Sequence, residues 1–390
     1  MVNKLFGTFI CLIATIICLV ATISTASAGP SIIPAPPQLA ATGYILMDAD
    51  SGKVLVEDNA DEQLPPASLT KMMTSYIVSS EIETGHLSED ALVRVSVKAW
   101  KMGGSKMFIR EGTRIPVKDL LRGVIIQSGN DASVALAEHV AGSEEAFVDV
   151  MNQQAQLLGM SNTTFKNATG WPADGHMTTA RDLSLLARAL IKDYPDHYKL
   201  YSEKYFTYNG INQPNRNKLL FRDSSVDGIK TGHTEAAGYC LVSSALKDGM
   251  RLIAVVMGAR SEDARAAESQ KLLTYGFRYF QTHKLYSAGD VLDRARVWAG
   301  VDEQVALSVA KDIYLTIPRG AQDELKAQMH IDEVIKAPLE KGQELGNLTV
   351  NLNGDKLVDV PLVTQQVIEE AGFFARLWDA IKLFFYQLLN

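Results

Sequence analysis

The chain has 390 residues, 47% of them hydrophobic, and a formal net charge of -7 at pH 7. A chain of this length exceeds what one hydrophobic core usually organises, so two domains are expected. Because 38 basic residues are outnumbered by 45 acidic ones and neither sign forms long runs, the composition argues against nucleic acid as a partner.

The start of the chain carries the pattern of an export signal. Lys4 supplies an early positive charge, a long apolar run follows, and Ala26 to Ala28 form a small-residue cleavage site. The sequence therefore predicts a signal peptide over residues 1–28 and a mature chain that begins at Gly29. An uncleaved signal anchor is the alternative, since the apolar run is nearly long enough to span a bilayer. Both interpretations place the body of the protein outside the cytosol.

Cysteine use excludes an internal disulfide in the mature chain. Cys11 and Cys18 lie within the predicted signal, which leaves Cys240 alone. A free cysteine is among the most buried residue types, so we expect Cys240 to be a buried small hydrophobe. A reactive thiol is the alternative.

The elements over residues 40–283 indicate one α/β (α+β) domain after a Pro-rich linker at 29–39. Gly43 to Asp48 has the pattern of a strand, Asp50 to Gly52 of a turn and Val54 to Val56 of a returning strand, which together predict a hairpin. Further elements follow from their periodicity: helices at 68–80, from about 132, at 144–158, at 180–192 and at 262–280, and buried strands at 238–245 and 252–257. Strands at both ends with helices between them are typical of this class.

The pattern changes in the C-terminal part of the chain, where short alternating runs appear. Ile313 to Ile317 is one such run. Leu348 to Leu352 and Leu357 to Val360 flank Asn353-Gly354, and Asn-Gly between alternating runs is the strongest short-range hairpin signal. We therefore predict a small β-rich domain over residues 288–368. It carries no evident chemistry and fits a spacer or a partner-binding module.

The last segment, residues 372–389, predicts an amphipathic helix. One face collects its large apolar side chains, which are Phe373, Leu377, Trp378, Ile381, Phe384, Phe385 and Leu388. A dense aromatic face with Lys and Arg at its margin fits a membrane interface, and charges at 376, 379 and 382 argue against a full span. A helix docked on the β-rich domain is the alternative.

The candidate chemistry begins with an S-x-x-K string at Ser68 to Lys71. Two other such strings occur, at 244–247 and 308–311, but only the first follows a proline pair and opens an apolar helix. At a helix N-terminus, backbone N–H groups and the helix dipole favour an attacking alkoxide and a developing oxyanion. Lys71 lies on the same face and can accept the hydroxyl proton, provided that burial and a second cation keep its amine neutral.

An S-x-N string at Ser128 to Asn130, unique in the chain, supplies a second set of groups. It lies in a turn between an apolar segment and a helix. The serine can relay a proton to a leaving amine. The amide of Asn130 can hold both Lys71 and a substrate carbonyl.

A K-T-G string, also unique, precedes the apolar strand around Tyr239. The Lys230 cation can lower the pKa of the lysine base and attract a carboxylate. Thr231 offers a hydroxyl to that carboxylate, and Gly232 allows the substrate backbone to approach closely. Each of the three strings alone is typical of an ordinary turn. Together they lie, in chain order, at a helix start, in a turn and at a strand edge, and this combination indicates that they form one site.

With these motifs in this order, the chain resembles the serine penicilloyl-recognising enzymes, and most closely the low-molecular-mass class C penicillin-binding D-alanyl-D-alanine carboxypeptidases. The strings that carry the resemblance are Pro66 to Thr74, Gln127 to Ala137 and Asp227 to Thr234. The resemblance extends to Tyr314 to Gly320 in the β-rich region and to the amphipathic tail. It covers nearly everything after the signal.

The resemblance implies an acyl-enzyme mechanism. Ser68 would attack the carbonyl between two terminal D-alanines, Lys71 would accept its proton, and the backbone N–H groups of Ser68 and His233 would form the oxyanion hole. His233 is expected to contribute its backbone more than imidazole chemistry, since no acid partner for the ring lies nearby in the sequence. D-alanine would leave, and water would then hydrolyse the ester.

The resemblance also implies roles for the remaining candidates. Ser128 and Asn130 would relay the proton and orient the substrate. Lys230 and Thr231 would hold the C-terminal carboxylate. Arg265 aligns with an arginine often placed near that carboxylate, and a surface salt bridge is its alternative role.

The implied partners are the peptidoglycan stem peptide, β-lactam antibiotics and, through the C-terminal helix, a membrane surface. The implied location is the periplasm, on the outer face of the bacterial inner membrane. The seven histidines show no zinc-binding spacing and no phosphate-binding glycine loop occurs, so no metal or other cofactor is expected.

Three other functions stay open. A class A β-lactamase shares the three motifs, but adds a glutamate in an E-x-x-x-N string, which is absent between 131 and 229. A transpeptidase or DD-endopeptidase would use the same site, since water and an acceptor amine compete for one acyl-enzyme. A non-catalytic wall-binding scaffold is the alternative from a different class.

Overall fold

The computed structural model describes residues 33–389. The predicted signal peptide and the first part of the linker lie outside these residues. The strands are β1 (Gly43–Asp48), β2 (Val54–Asp58), β3 (Leu92–Arg94), β4 (Arg114–Pro116), β5 (Tyr205–Tyr208), β6 (Ile211–Pro214), β7 (Val226–Thr234), β8 (Gly238–Lys247), β9 (Met250–Ala259), β10 (Phe280–Tyr286), β11 (Asp293–Trp298), β12 (Gln304–Ser308), β13 (Ile313–Pro318), β14 (Leu325–Ile331), β15 (Ile335–Lys336), β16 (Glu344–Leu352) and β17 (Asp355–Thr364). The helices are α1 (Lys71–Glu83), α2 (Val97–Lys101), α3 (Val117–Ile125), α4 (Asn130–Ala141), α5 (Glu144–Leu157), α6 (Ala180–Asp193), α7 (Pro195–Tyr198), α8 (Leu219–Arg222), α9 (Glu262–Tyr279) and α10 (Phe373–Leu389). Short 3-10 turns cover Ala67–Thr70, Lys199–Ser202 and Gln322–Glu324.

A five-stranded antiparallel sheet, in the order β2-β1-β9-β8-β7, contains the K-T-G string in its edge strand β7. Successive side chains of a strand point to opposite faces. In β1, Ile45 and Met47 belong to one buried cluster together with α1, whereas Tyr44 and Leu46 belong to a second cluster together with α9. The sheet therefore separates two apolar cores, which explains why its inner strands are apolar on both faces. The α/β (α+β) class predicted from the sequence is confirmed.

The elements predicted from periodicity are present, with ends shifted by a few residues. The hairpin of β1 and β2 forms, with Leu46 paired to Val56. The predicted helix from Ser68 begins instead as the 3-10 turn Ala67–Thr70, and α1 starts only at Lys71. The helix expected near residue 132 starts at Asn130, because polar residues occupy its first turn, where free N–H groups favour them.

Strand β7 was not predicted as a separate element, since the sequence placed the K-T-G string at a strand edge, just before the strand around Tyr239. The string lies inside β7, at the edge of the sheet, with Lys230 paired to Val242 of β8. Only Val226 and Ile229 are large apolar residues in this strand, so no alternation marks it.

In β8, Cys240 is fully buried, and burial raises the pKa of its thiol to about 11. The expectation of a buried small hydrophobe is confirmed.

The C-terminal part is β-rich, as predicted. A six-stranded sheet has the order β14-β16-β17-β12-β11-β15, and β10 pairs separately with β13, which is the predicted run from Ile313. Strands β16 and β17 form the predicted hairpin, with Leu352 paired to Asp355. Asn353 and Gly354 have φ of 54° and 95°, the left-handed conformations that such a two-residue turn requires.

The predicted C-terminal helix is present as α10. It contacts the β-rich sheet through one stripe: Asp379 accepts a hydrogen bond from the Ala299 N–H at 3.0 Å, Leu383 is buried, and the Tyr386 ring lies 5.9 Å from that of Trp298. Other large apolar side chains of this helix are exposed, namely Phe373, Phe374, Leu377, Trp378, Ile381, Phe384, Phe385 and Leu388. The helix is thus docked on the sheet and still presents an apolar face. Across residues 33–389, every helix is too short or too polar to span a bilayer.

Candidate active site

Ser68 lies in the 3-10 turn that leads into α1, and Lys71 is the first residue of that helix. Ala67, directly before the serine, has a φ of 46°, a left-handed conformation that is strained for a residue with a side chain. Strain of this kind is common where a functional side chain must be aimed. The turn places Ser68 Oγ 3.1 Å from Lys71 Nζ, which is hydrogen-bonding distance.

Lys71 is almost completely enclosed, with 1% of its surface exposed. Its Nζ donates to Asn130 Oδ1 at 2.7 Å and to the Thr169 carbonyl at 2.5 Å. A neutral amine has two N–H donors and one lone pair, so these two acceptors use both donors. The lone pair is then left for the Ser68 hydroxyl. In its uncharged form, the amine would therefore direct its lone pair at the Ser68 hydroxyl and could accept the serine proton.

The surroundings of Lys71 also favour its uncharged form. Burial, followed by the positive charge of Arg216, lowers the pKa of Lys71 from 10.5 to about 7, while the negative charge of Asp131 opposes the shift. The sequence pointed to Lys230 as the cation with this effect. Arg216, an exposed residue outside the three motifs, was missed.

The S-x-N turn connects the other two motifs. Ser128 is buried, with a φ of 60°, and its Oγ accepts a hydrogen bond from Lys230 Nζ at 2.9 Å. Asn130 accepts from Lys71 through Oδ1 and donates from Nδ2 to the Gly103 carbonyl at 2.8 Å. The prediction that this amide holds Lys71 agrees with the structure. Ser68, Lys71 and Asn130 therefore form one hydrogen-bonded group and Ser128 and Lys230 form a second, and the backbone of the S-x-N turn joins the two groups into one cluster.

Several cations converge on one end of this cluster. Burial lowers the pKa of Lys230 well below its ordinary value, and the charges of Lys71, Arg216 and Arg265 lower it further. A bound carboxylate would offset this mutual repulsion and favour the charged form of Lys230. This end of the site is therefore suited to an anion.

The remaining residues of the K-T-G strand lie beside the serine turn. Thr231 is buried, and a side chain at Gly232 would come within 3.1 Å of the Pro66 carbonyl. Gly232 thus allows β7 to pack against the turn, whereas the sequence assigned its close approach to the substrate. The imidazole of His233 stacks on Tyr239, with ring centroids 4.0 Å apart.

Arg265 lies in α9, behind the same strand. Its guanidinium is 4% exposed, donates to the Gly232 carbonyl at 3.1 Å and lies 5.6 Å from the centre of the Tyr239 ring. The distance to the Glu262 carboxylate is 3.9 Å. Arg265 therefore does form a salt bridge with an exposed glutamate, as its alternative role had it, but it does so from a buried position in which it also holds the K-T-G strand.

A cleft of about 640 Å³ lies over this cluster. It is lined by Ser68, Gly104, Ser105, Asn130, Thr169, Gly170, Trp171, Pro172, His233, Thr234, Glu235 and Ala236. One wall was not expected from the sequence: it is formed by the segment around Gly170, where a Cβ atom would lie 1.7 Å from the Ala67 carbonyl oxygen. Only glycine allows this segment to lie against the serine turn.

Comparison with known proteins assigns the chain to a family. A family described as D-alanyl-D-alanine carboxypeptidase matches residues 31–261, and one described as penicillin-binding protein 5, C-terminal domain, matches residues 280–370. The chain is also similar to D-alanyl-D-alanine carboxypeptidase DacA of Escherichia coli (strain K12). The two are 47% identical over 365 residues, which cover 92% of this chain and 91% of DacA.

Solved structures give the same assignment. Penicillin binding protein 5 from Haemophilus influenzae is similar with a TM-score of 0.83 and 43% identity, over 86% of this chain and 100% of that chain. Penicillin-Binding Protein D2 from Listeria monocytogenes, in its ampicillin-bound form, is similar with a TM-score of 0.58 and 32% identity, over 63% of this chain and 100% of that chain. The chain belongs to the D-alanyl-D-alanine carboxypeptidase family, within the low-molecular-mass class C of the penicillin-binding proteins.

Proposed function

We propose that this protein is a serine-type D-Ala-D-Ala carboxypeptidase, which removes the terminal D-alanine from peptidoglycan stem pentapeptides through an acyl-enzyme, and that β-lactams acylate the same serine. One observation carries the proposal: Lys71 Nζ lies 3.1 Å from Ser68 Oγ, with its two other hydrogen bonds directed to acceptors. This is the arrangement that a lysine base and a serine nucleophile require.

In the first step, Ser68 Oγ attacks the carbonyl carbon of the penultimate D-alanine as its proton passes to Lys71 Nζ. The carbonyl oxygen becomes negative, and we assign the backbone N–H groups of Ser68 and His233 as its hydrogen-bond donors. Both residues line the cleft. This oxyanion hole is a proposal that rests on their position at the cleft.

In the second step, the C–N bond breaks and the amine of the terminal D-alanine takes up a proton. We assign this proton to the relay from Lys71 through the Ser128 hydroxyl, whose oxygen Lys230 holds at 2.9 Å. Loss of the proton returns Lys71 to its neutral form. A water molecule can then attack the ester carbonyl as Lys71 accepts its proton. The bond between the acyl carbon and Ser68 Oγ breaks, Lys71 returns the proton to Ser68 Oγ, and the shortened peptide leaves as the free acid.

Substrate selection follows from the cationic end of the site. A terminal carboxylate would lie near Lys230 and Thr231, with Asn130 oriented toward the peptide carbonyl. Arg265 is buried behind this strand and holds the Gly232 carbonyl, so we assign it a supporting position and a long-range attraction to the carboxylate. A peptide that lacks a free C-terminal carboxylate would therefore react poorly.

The test is release of free D-alanine from a pentapeptide that ends in D-Ala-D-Ala, measured with the purified full-length chain in detergent. We expect release of one D-alanine per peptide and covalent labelling by a fluorescent penicillin. The same peptide with an amidated C-terminus is the matched control and is expected to react far more slowly. If the protein shows no D-alanine release and no penicillin labelling, the wall-binding scaffold is favoured. If it hydrolyses the penicillin rapidly, a β-lactamase is favoured.

For localisation, we propose export by the N-terminal signal and peripheral attachment to the outer face of the inner membrane through α10. The support is the exposed apolar face of this helix, where Phe374 is 84% exposed and Trp378 is 59% exposed. A face of this kind inserts its aromatic side chains at the boundary between headgroups and acyl chains. The stripe that holds Asp379 and Leu383 keeps the helix on the β-rich sheet.

Deletion of residues 372–390 is expected to release the mature protein from membranes. The measurement is co-sedimentation with anionic lipid vesicles, with D-alanine release as a check that the deleted protein is active. Replacing Trp378 and Phe385 with aspartate is expected to release the protein in the same way, since both lie on the exposed face. A deletion variant that stays as membrane-bound as the intact chain would show that the anchor is elsewhere.

A further inference from the structure

One partner of the lysine base comes from outside the three motifs. Lys71 Nζ donates to the Thr169 carbonyl at 2.5 Å, and Thr169 belongs to a loop of residues 167–171, here called the Asn167 loop. A carbonyl at this distance fixes the direction of one N–H of the amine. The position of the Asn167 loop therefore helps to decide where the lone pair of Lys71 points.

A single side chain organises the Asn167 loop. Asn167 Oδ1 accepts hydrogen bonds from the backbone N–H groups of Thr169 at 3.1 Å, Gly170 at 2.8 Å and Trp171 at 3.1 Å. Its Nδ2 donates to the Trp171 carbonyl at 2.8 Å. These contacts define which end of the amide is oxygen and which is nitrogen. They also mean that a shift of Asn167 would move the whole loop.

His176 contacts Asn167 on one side and the serine turn on the other. Its Nδ1 lies 3.3 Å from Asn167 Nδ2, and its Nε2 lies 3.0 Å from Thr70 Oγ1. Because the asparagine nitrogen is a donor, Nδ1 must accept, so the ring proton is on Nε2 and is donated to Thr70. Thr70 stands between Ser68 and Lys71 in the chain.

The imidazole is held in this single form. His176 is 2% exposed, and burial, with a smaller effect of Lys166, lowers its pKa to about 4. A protonated ring would direct Nδ1–H at the N–H of Asn167, so that two donors would face each other. The hydrogen bonds and the burial therefore favour the same neutral tautomer.

We infer that His176 is a positioning residue for the acylation reaction: its ring connects Thr70 of the serine turn to Asn167, and through the Asn167 loop it holds the Thr169 carbonyl against the Lys71 amine. This inference rests on the proposed function, since it concerns the base of that reaction. His176 touches no reacting atom. It acts through two hydrogen bonds and the backbone of the loop.

The alternative role is core packing. His176 lies edge-on to the Phe165 ring, with centroids 5.9 Å apart, so removing it would also disturb the apolar core. Loss of packing lowers the fraction of folded molecules. Loss of positioning lowers the rate of each folded molecule, because a small misplacement of a reacting group is costly.

The experiment compares His176→Phe with the full-length wild-type chain. The acylation rate constant at saturating fluorescent penicillin, the half-saturating concentration and the final labelled fraction are measured together. Normalising by the labelled fraction removes the effect of unfolded protein. We expect the saturating rate of His176→Phe to fall about 10- to 100-fold, with the half-saturating concentration unchanged. His176→Gln, which keeps an N–H donor for Thr70, should recover part of the rate.

Two further variants sharpen the result. His283→Phe, a histidine of β10, is the matched control and is expected to react like wild type. In a double-mutant cycle, Asn167→Ala combined with His176→Phe should be no slower than Asn167→Ala alone, because both act through one loop.

A His176→Phe protein that is acylated at the wild-type rate per labelled molecule would overturn the inference, as would additive losses in the cycle. If the phenylalanine variant does not fold, Thr70→Val and Asn167→Ala test the same connection, and wild-type rates in both would overturn it. The wild-type chain reports on the proposed function separately. If it neither releases D-alanine nor takes up the penicillin, the function itself is refuted.

Discussion

Replacing Ser68 with alanine is expected to abolish both D-alanine release and covalent penicillin labelling, with a loss of catalysis on the order of 10⁶-fold. The reason is that no bond can form to the substrate without the hydroxyl oxygen. Folding should be preserved, because Ser68 is only partly buried and its Oγ is not part of the apolar cores. The measurement is D-alanine release together with the mass of the intact protein after exposure to penicillin.

The chain contains its own matched control. Ser308 begins another S-x-x-K string, but it lies in the β-rich sheet, where its Oγ donates to the Val363 carbonyl at 3.3 Å. Ser308→Ala is therefore expected to keep full activity and full labelling. Activity that survives in Ser68→Ala, or is lost in Ser308→Ala, would assign the nucleophile to a different serine.

Replacing Lys71 with methionine is expected to lower the acylation rate by about 10²- to 10⁴-fold, the usual contribution of a general base. In the wild-type protein, kcat/KM should rise as the pH increases through about 7, because the pKa of Lys71 is lowered to that value and only the neutral amine accepts a proton. The rise should be absent in the methionine variant. Methionine keeps most of the apolar stem, so packing around α1 is retained.

Lys311→Met is the control for this change. Lys311 ends the same S-x-x-K string that Ser308 begins, and it is exposed. We expect its pH profile to match that of the wild type. A methionine variant at position 71 that keeps the rise near pH 7 would show that another group supplies the base.

Much of the fold was predictable because helices and strands that bury one face have apolar residues at regular intervals in the sequence. The hairpin of β1 and β2 and the Asn353-Gly354 turn have local signals that the structure confirms. Strand β7 shows no such periodic pattern, since most of its residues are polar or glycine, and several of them belong to the candidate site. The 3-10 start at Ala67–Thr70 also has no local signature, because it depends on a strained backbone that tertiary contacts hold.

The site itself was predictable to the extent that its chemistry uses particular residue types. The S-x-x-K, S-x-N and K-T-G strings require a serine, an asparagine and lysines, and in the structure the S-x-N string makes hydrogen bonds to the lysines of both other strings. Thr169 could not be found in this way, because it contributes a backbone carbonyl that any residue provides. Arg216 acts on Lys71 through space from an exposed loop, and Gly170 is required only by a close approach of two backbones.

The central claim is that the amine of Lys71 loses its proton at about pH 7, so that the uncharged form is available beside the Ser68 hydroxyl at neutral pH. The most direct measurement is an NMR titration of the full-length protein with ¹³C-labelled lysine, with the Lys71 signal identified by its loss in Lys71→Arg. The account predicts a midpoint at about 7 for this signal. A Lys71 signal that stays in the ammonium form until its ordinary range near 10.5 would contradict the account.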